Sequence, residues 1–435
     1  DYAFFQKALS HGYIGNSSKK IQQLETFIST YPNSKLRDDA MYELGNSYVK
    51  SGNNDEAMQM YDRLNSEYRT SAFVPKSMLR QGLVYYNSSQ NEQALSKFKT
   101  VASDFPGSPE AVQAVSTARL IYIDLGRVDE YASWVRTLDY VEVTDAELDN
   151  ATYESAEKQF LDNNTDEAIR LFNAYLNEFS NGIHALQAHF YLAQLYFKKD
   201  LMGNATPHYK FVVDAPRSEF TEEALLRLSQ SYLENKNWID AIQILQRLEA
   251  EANFPQNTIF AQSNLMQANY QLNKYNEAVV YAEKVLDNSR ADNKIKSDAY
   301  VIIARSAIKT DNEAKARQAY AEVEKIANGE LVAEALYYSA YFKNKDGKYE
   351  DSNKTAQQLA KDYSSYKYYS AKGLVIMSKN FYALDDVFQA TYILESVINN
   401  FSDFDEVVEE AKIELDKIKE EQAKTNSSIQ IETGN

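Results

Sequence analysis

The chain has 435 residues, 44% of them apolar, and 46 Lys and Arg against 63 Asp and Glu give it a formal charge of −17. That charge, without any dense Lys/Arg run, excludes a nucleic-acid partner held through a basic face, and the apolar content excludes wholesale disorder. The absence of cysteine excludes disulfides, thiolate metal sites and a cysteine nucleophile, and no stretch reaches the roughly 18 apolar residues of a membrane span.

In chain order, Asp1-Tyr2-Ala3-Phe4-Phe5 already lies inside a helical pattern and lacks an initiator methionine, so the sequence reads as a trimmed fragment, and any export signal would lie upstream of it. A repeat template follows at Leu44-Gly45-Asn46-Ser47-Tyr48, then Gly52, Ala57 and Tyr61. Moving 37 residues on gives Gly82, Tyr85, Ala94 and Phe98. The alanine recurs at Ala168, Ala205, Ala241, Ala278, Ala316 and Ala390, while Tyr131 and Ser352 fill its slot in two repeats. Gly45, Gly82, Ala156, Ala193, Ser229, Ala304 and Ala340 form the first-helix side of the same crossing, where small residues let two helices approach. Four positions after the alanine, on the same helical face, stand Tyr61, Phe98, Phe172, Tyr209, Leu245, Tyr320 and Leu394.

The turn inside each pair is marked by Gly15, Gly52, Gly126, Asn163, Asp200, Asn273, Asp311, Gly347 and Asp385, with Ser89 and Lys236 as departures. Gly, Asn and Asp tolerate the left-handed backbone that ends a helix. Between pairs the chain reads Tyr31-Pro32-Asn33-Ser34, Tyr68-Arg69-Thr70-Ser71 and Phe105-Pro106-Gly107-Ser108: an aromatic helix end, a breaker and a cap-type residue. Arg119 and Tyr131 replace both small residues of the fourth repeat, and the repeat around Asn344 to Ala356 is degenerate, so both are expected to pack differently. Val408, Ala411, Leu415 and Ile418 share one face of 405–424, the pattern of a terminal capping helix. Residues 425–435 lack periodicity and are expected to be a disordered tail.

The order Leu/Gly/Tyr, Gly, Ala, Tyr/Phe, Pro resembles the tetratricopeptide repeat over nearly the whole chain. That resemblance implies an all-α, right-handed superhelical solenoid of about 11 helix-turn-helix repeats of ~37 residues over 2–404, with a C-terminal capping helix. The Tyr-Pro-Asn-Ser and Phe-Pro-Gly-Ser signatures resemble a bacterial subclass that includes the periplasmic coordinator of the Tol–Pal system and the lipoprotein of the outer-membrane barrel-assembly machinery. They imply a periplasmic or outer-membrane-associated protein, with a cytoplasmic location still open.

Signals of chemistry are lacking. His184 and His189 lie five apart, off one helical face, and His11 and His208 fall elsewhere, so no metal-ligand spacing exists. There is no phosphate-binding glycine loop and no Gly-x-Ser-x-Gly. No catalytic residue, cofactor or metal is expected.

In tetratricopeptide arrays the first helix of each pair lines a concave groove. Carried over, one groove row holds Tyr42, Leu79, Tyr153, Phe190, Leu226, Tyr337 and Val375; a second holds Val49, Tyr86, Ile123, Phe160, Phe197, Leu233, Tyr270, Ile308 and Tyr382; a third, polar row holds Asn46, Glu157, Gln194, Gln230, Gln267 and Arg305. Two readings of the aromatics stay open here: core between neighbouring first helices, or a lining of aromatic and amide side chains for a peptide or helix. The second selects Tyr153, Glu157, Phe160, Phe190, Gln194, Phe197, Gln230, Gln267 and Tyr270 as partner-binding residues. A chaperone-type dicarboxylate clamp is disfavoured, since Tyr42, Leu79 and Tyr153 stand where its lysines and asparagines would be. The expected function is a non-catalytic scaffold that binds a protein or peptide partner. The alternative is a carbohydrate- or peptidoglycan-binding module, for which Trp134 and Trp238 lie off every groove row.

Overall fold

The computed structural model describes the backbone of residues 1–432 and side chains through Lys424. Every regular element among the described residues is an α-helix, and the chain divides into two compact units, Asp1–Ala215 and Pro216–Asn435. The first unit pairs α1 (Tyr2–Tyr13) with α2 (Ser17–Thr30), α3 (Arg37–Lys50) with α4 (Asn54–Glu67), and α5 (Phe73–Asn87) with α6 (Asn91–Asp104). It continues with α7 (Pro109–Asp124) and α8 (Val128–Val135), α9 (Asp145–Leu161) and α10 (Thr165–Glu178), and α11 (Ala185–Lys198) and α12 (Met202–Asp214). The second unit pairs α13 (Thr221–Glu234) with α14 (Trp238–Glu251), α15 (Pro255–Gln271) with α16 (Tyr275–Asp287), and α17 (Asn293–Lys309) with α18 (Glu313–Ile326). The chain then forms α19 (Glu330–Lys345) and α20 (Tyr349–Asp362), α21 (Lys367–Ala383) and α22 (Val387–Asn400), and closes on α23 (Asp405–Glu432). Eleven pairs and a terminal helix are the architecture expected of an all-α repeat solenoid.

The turn inside each pair is set by backbone conformation. All eleven turn slots have positive φ, including the two departures, Ser89 at 59° and Lys236 at 55°. A non-glycine side chain in this region costs about 1–2 kcal/mol. Helix-ending bonds hold it there: Gln90 N donates to Tyr85 O at 2.9 Å and Asn237 N to Tyr232 O at 2.8 Å, as Asn53 N does to Tyr48 O around Gly52. This six-to-one bond satisfies carbonyls that the helix leaves open.

The crossing of the two helices is tighter than the alanines alone suggest. The eight alanines of the second helices are fully buried. On the first helix, Gly45 leaves room for a ring: a Cβ there would lie 2.4 Å from the Tyr61 ring, and one at Gly82 would lie 2.4 Å from the Phe98 ring. The Tyr61 hydroxyl then donates to Asn46 Oδ1 at 2.8 Å, which supplies the partner a buried phenol requires.

Carboxylates at the starts of first helices tie neighbouring repeats together. Ser34 Oγ donates to Asp1 at 2.8 Å, Ser71 Oγ to Asp38 at 2.6 Å, and Ile183 N to Asp149 at 2.8 Å. In the second unit Glu222 accepts from the backbone N–H of Asn253 and Phe254 and from the Asn257 amide. Burial alone would raise the Glu222 carboxyl, but these donors hold it below its ordinary value.

The two irregular repeats resolve differently. In the fourth, α8 is only eight residues long. Tyr131 is buried against Tyr122 and Trp134, while Arg119 reaches out to Glu154 on α9 at 3.0 Å. In the tenth, Ser352 takes the alanine slot and donates to Ala340 O at 2.8 Å, and the Asn380 amide donates in turn to Ser352 and Asn353. At the C-terminus Ala411, Leu415 and Ile418 of α23 are buried in a cluster with Val397 and Leu394. The helix continues past Lys424 to Glu432, through most of the expected disordered tail, because extending a formed helix needs no new nucleation; the last three residues of that tail lie outside the described residues.

Two histidines that look unrelated in sequence meet across one pair. His189 on α11 and His208 on α12 share a hydrogen bond between their Nδ1 atoms at 2.7 Å, and His189 stacks on Phe211 at 3.8 Å. Burial lowers both, and the neighbouring imidazole presses His189 down to about 4. An unfolded chain therefore binds protons that the folded one refuses. This contribution to stability is whole above about pH 6.5, the unperturbed value, and is lost as pH falls toward 4. Melting temperatures across that window should fall for the parent and flatten for His189→Gln with His208→Gln; equal slopes would refute the assignment.

The ring crossing gives a second expectation. Gly45→Val should destabilise the chain by about 1–3 kcal/mol through overpacking. Adding Tyr61→Leu, which puts at the ring slot the smaller residue found at Leu245 of the seventh pair, should restore part of that loss. Denaturant unfolding of both variants measures the coupling, and strict additivity would contradict the crossing.

Candidate functional site

In the first unit the predicted groove residues separate by depth. Tyr153 is 3% and Phe190 5% exposed, so both rings pack inside their repeats. Tyr153 stacks on His184 with centroids 4.2 Å apart and donates its hydroxyl to Glu157 Oε1 at 2.8 Å. Burial first, and then that carboxylate, push its pKa up. Glu157, Phe160, Gln194 and Phe197 keep partial exposure. Phe160 stacks on Tyr191 at 4.6 Å and meets Phe172 edge-on. Phe160 and Gln194 line one small cavity of about 350 Å³ with Leu161 and Lys198, so the α9 and α11 positions of two groove rows do converge.

In the second unit Gln230 is half-buried and accepts from Arg227 at 3.3 Å, Gln267 is exposed, and Tyr270 is half-buried with its ring edge-on to Tyr275. Farther along the polar row, Arg305 forks onto Glu334 through Nε at 2.9 Å and Nη2 at 2.5 Å. Tyr320 and Tyr369 donate to the same carboxylate at 2.8 and 2.9 Å. Glu334 is 2% exposed. Its burial favours the neutral acid, yet Arg305 and the two phenols hold it below the ordinary carboxylate range. Every oxygen is satisfied, so this is a lock between α17, α18, α19 and α21 with no proton to exchange near neutrality. The signal for it in sequence is Glu334 standing alone in the apolar run Leu331 to Leu336.

A larger opening, absent from the sequence reading, lies at the fourth repeat. By the 37-residue step from α10, α8 should run to Val141, yet it stops at Val135. The place its last turns would fill is a cleft of about 770 Å³. Its walls are α7, the start of α9 and the segment Tyr140 to Val143, which Tyr140 anchors by donating to Ala102 O at 2.9 Å.

No group of three or more His, Cys, Asp or Glu converges on one point among the described residues. No helix among them is long and apolar enough to cross a membrane. Trp134 packs against Tyr122 and Tyr131.

Comparison with known proteins agrees with the repeat geometry. A family model described as tetratricopeptide repeat matches residues 2–34, 39–71, 76–108 and 223–252. No curated protein matches the chain in sequence. Among solved structures, a tetratricopeptide repeat protein from Parabacteroides merdae is similar at 17% identity and a TM-score of 0.30, covering 59% of this chain and 95% of its own. The tetratricopeptide domain of P58(IPK) is similar at 12% identity and 0.27, covering 97% and 98%. MamA is similar at 20% identity and 0.24, covering 50% and 93%. The four matched stretches fall on the first, second, third and seventh helix pairs, and the unmatched pairs share their turn conformation and, with few exceptions, their small-residue crossing: the chain carries tetratricopeptide repeats.

Proposed function

We propose that the chain is a non-catalytic scaffold that holds a peptide, helix or partner domain against the first helices of its repeats. The observation that supports this is the contrast along single helices. On α9 Tyr153 is buried while Glu157 and Phe160 keep exposure, and on α11 Phe190 is buried while Gln194 and Phe197 do. The buried ring anchors the helix, and the next turn presents an amide or carboxylate beside an aromatic edge, a combination suited to peptide recognition. Gln230, Gln267 and Tyr270 continue the same choice of side chains in the second unit.

We infer also that it works in the bacterial envelope, periplasmic or attached to the outer membrane, on the likeness of the Tyr31-Pro32-Asn33-Ser34 and Phe105-Pro106-Gly107-Ser108 loops to that subclass. Fractionation of cells making the full-length product checks this, and recovery in the cytosol alone would overturn it.

Phe160→Ala with Phe197→Ala should abolish capture of the partner while the helical signal stays. Removing a fully buried Phe costs about 3–5 kcal/mol, so these half-buried rings should cost less, and thermal melting separates the cases. A collapse in melting temperature together with lost capture would assign both rings to the core.

A further inference from the structure

We propose that the cleft beside α8 is a seat for a helical segment of a partner protein, one with an apolar face flanked by lysines or arginines. This extends the scaffold reading to a second site, at the fourth repeat, where Leu120 stands one period before Glu157, and it is testable separately from Phe160 and Phe197.

The seat follows from the repeat itself. In the fifth repeat the last turns of α10 cover the start of α9: Tyr175 donates to Asp149 at 2.6 Å, and Asp149 is 5% exposed. One repeat earlier the counterpart of Asp149 is Val112, and with α8 ending at Val135 nothing covers it; Val112 is 52% exposed. Leu120, two turns farther along α7, is 48% exposed in the same cleft. Two exposed aliphatic side chains, the buried Tyr131 and Val141 make an apolar floor. Such floors take amphipathic helices through anchors one and two turns apart.

The rim sets the charge of the occupant. Glu142, Glu147 and Glu154 line the cleft against a single cation, Arg119, which is already paired with Glu154. Glu147 closes the capping box of α9 with Thr144, while Glu142 is exposed and has no hydrogen-bond or ion-pair partner among the described residues. An acidic rim on a chain of charge −17 draws in a basic segment and repels an acidic one.

A fluorescein-labelled amphipathic peptide of leucine and lysine, titrated into the full chain and followed by anisotropy, tests the seat. It should bind, and the same peptide with glutamate for lysine should not. Val112→Asn with Leu120→Asn should weaken binding about tenfold or more, as loss of central anchors does, and melting should confirm that these exposed changes leave the fold intact. Glu142→Lys should weaken it several-fold and shallow its salt dependence. No binding, or binding indifferent to Val112 and Leu120, would overturn the proposal. So would a parent chain that is dimeric in sedimentation and becomes monomeric on the same two substitutions, since the seat would then belong to a second copy. Partner capture that depends on Phe160 and Phe197 would stand through any of these results.

Discussion

Everything in this chain depends on how closely two helices of a repeat can cross. In most pairs the crossing is built from a residue no larger than serine on the first helix, a ring or leucine sixteen positions later, and an alanine one turn before that residue. At Gly45 and Gly82 even a methyl group would intrude on the ring. Because the ring is fixed, so is its polar end: Tyr61 reaches Asn46 and Tyr320 reaches Glu334. These two buried polar contacts are consequences of the crossing, since a phenol that fills the helix pair needs an acceptor at its end.

The left-handed turn serves the same end. Ser89 and Lys236 accept a strained backbone where glycine, asparagine or aspartate would accept it more cheaply. They do so because the turn closes the pair in register with the crossing, and the bonds from Gln90 and Asn237 back into the preceding helix leave no alternative path. In a solenoid each unit meets only its neighbours, so a local cost of this size stays local and is offset by the interfaces on either side.

Much of this was legible in the sequence, and the limits are physical. Small residues, turn residues and loop signatures recur with the period, so the helix pairs and every turn slot could be placed from residue type alone. The aromatic rows were harder, because a first helix shows apolar residues both to its own partner and to the groove. Tyr153 and Phe160 differ by two turns and by depth, and nothing in their identity says which is covered. The His189–His208 contact escaped because its partners sit nineteen residues apart on antiparallel helices, a distance no single-helix spacing rule reports. The Glu334 lock escaped because it gathers groups from four helices.

The fourth repeat shows what happens when the rule is relaxed. With Arg119 and Tyr131 in the two small-residue slots, the crossing lacks the space that small residues leave in the other pairs. Tyr131 can be buried only by turning toward Tyr122 and Trp134, and Arg119 must leave for the solvent edge at Glu154. The second helix of this pair does not carry its last turns across α7 and α9. The chain therefore ends α8 early and crosses to α9 through Thr137 to Thr144, a stretch rich in β-branched residues that gain little from helix. Two substitutions in a repeating pattern, one on each helix of the pair, are enough to convert a covered helix face into an open one. What reveals it is the missing cover over Val112, whose counterpart in the next repeat is sealed beneath Tyr175.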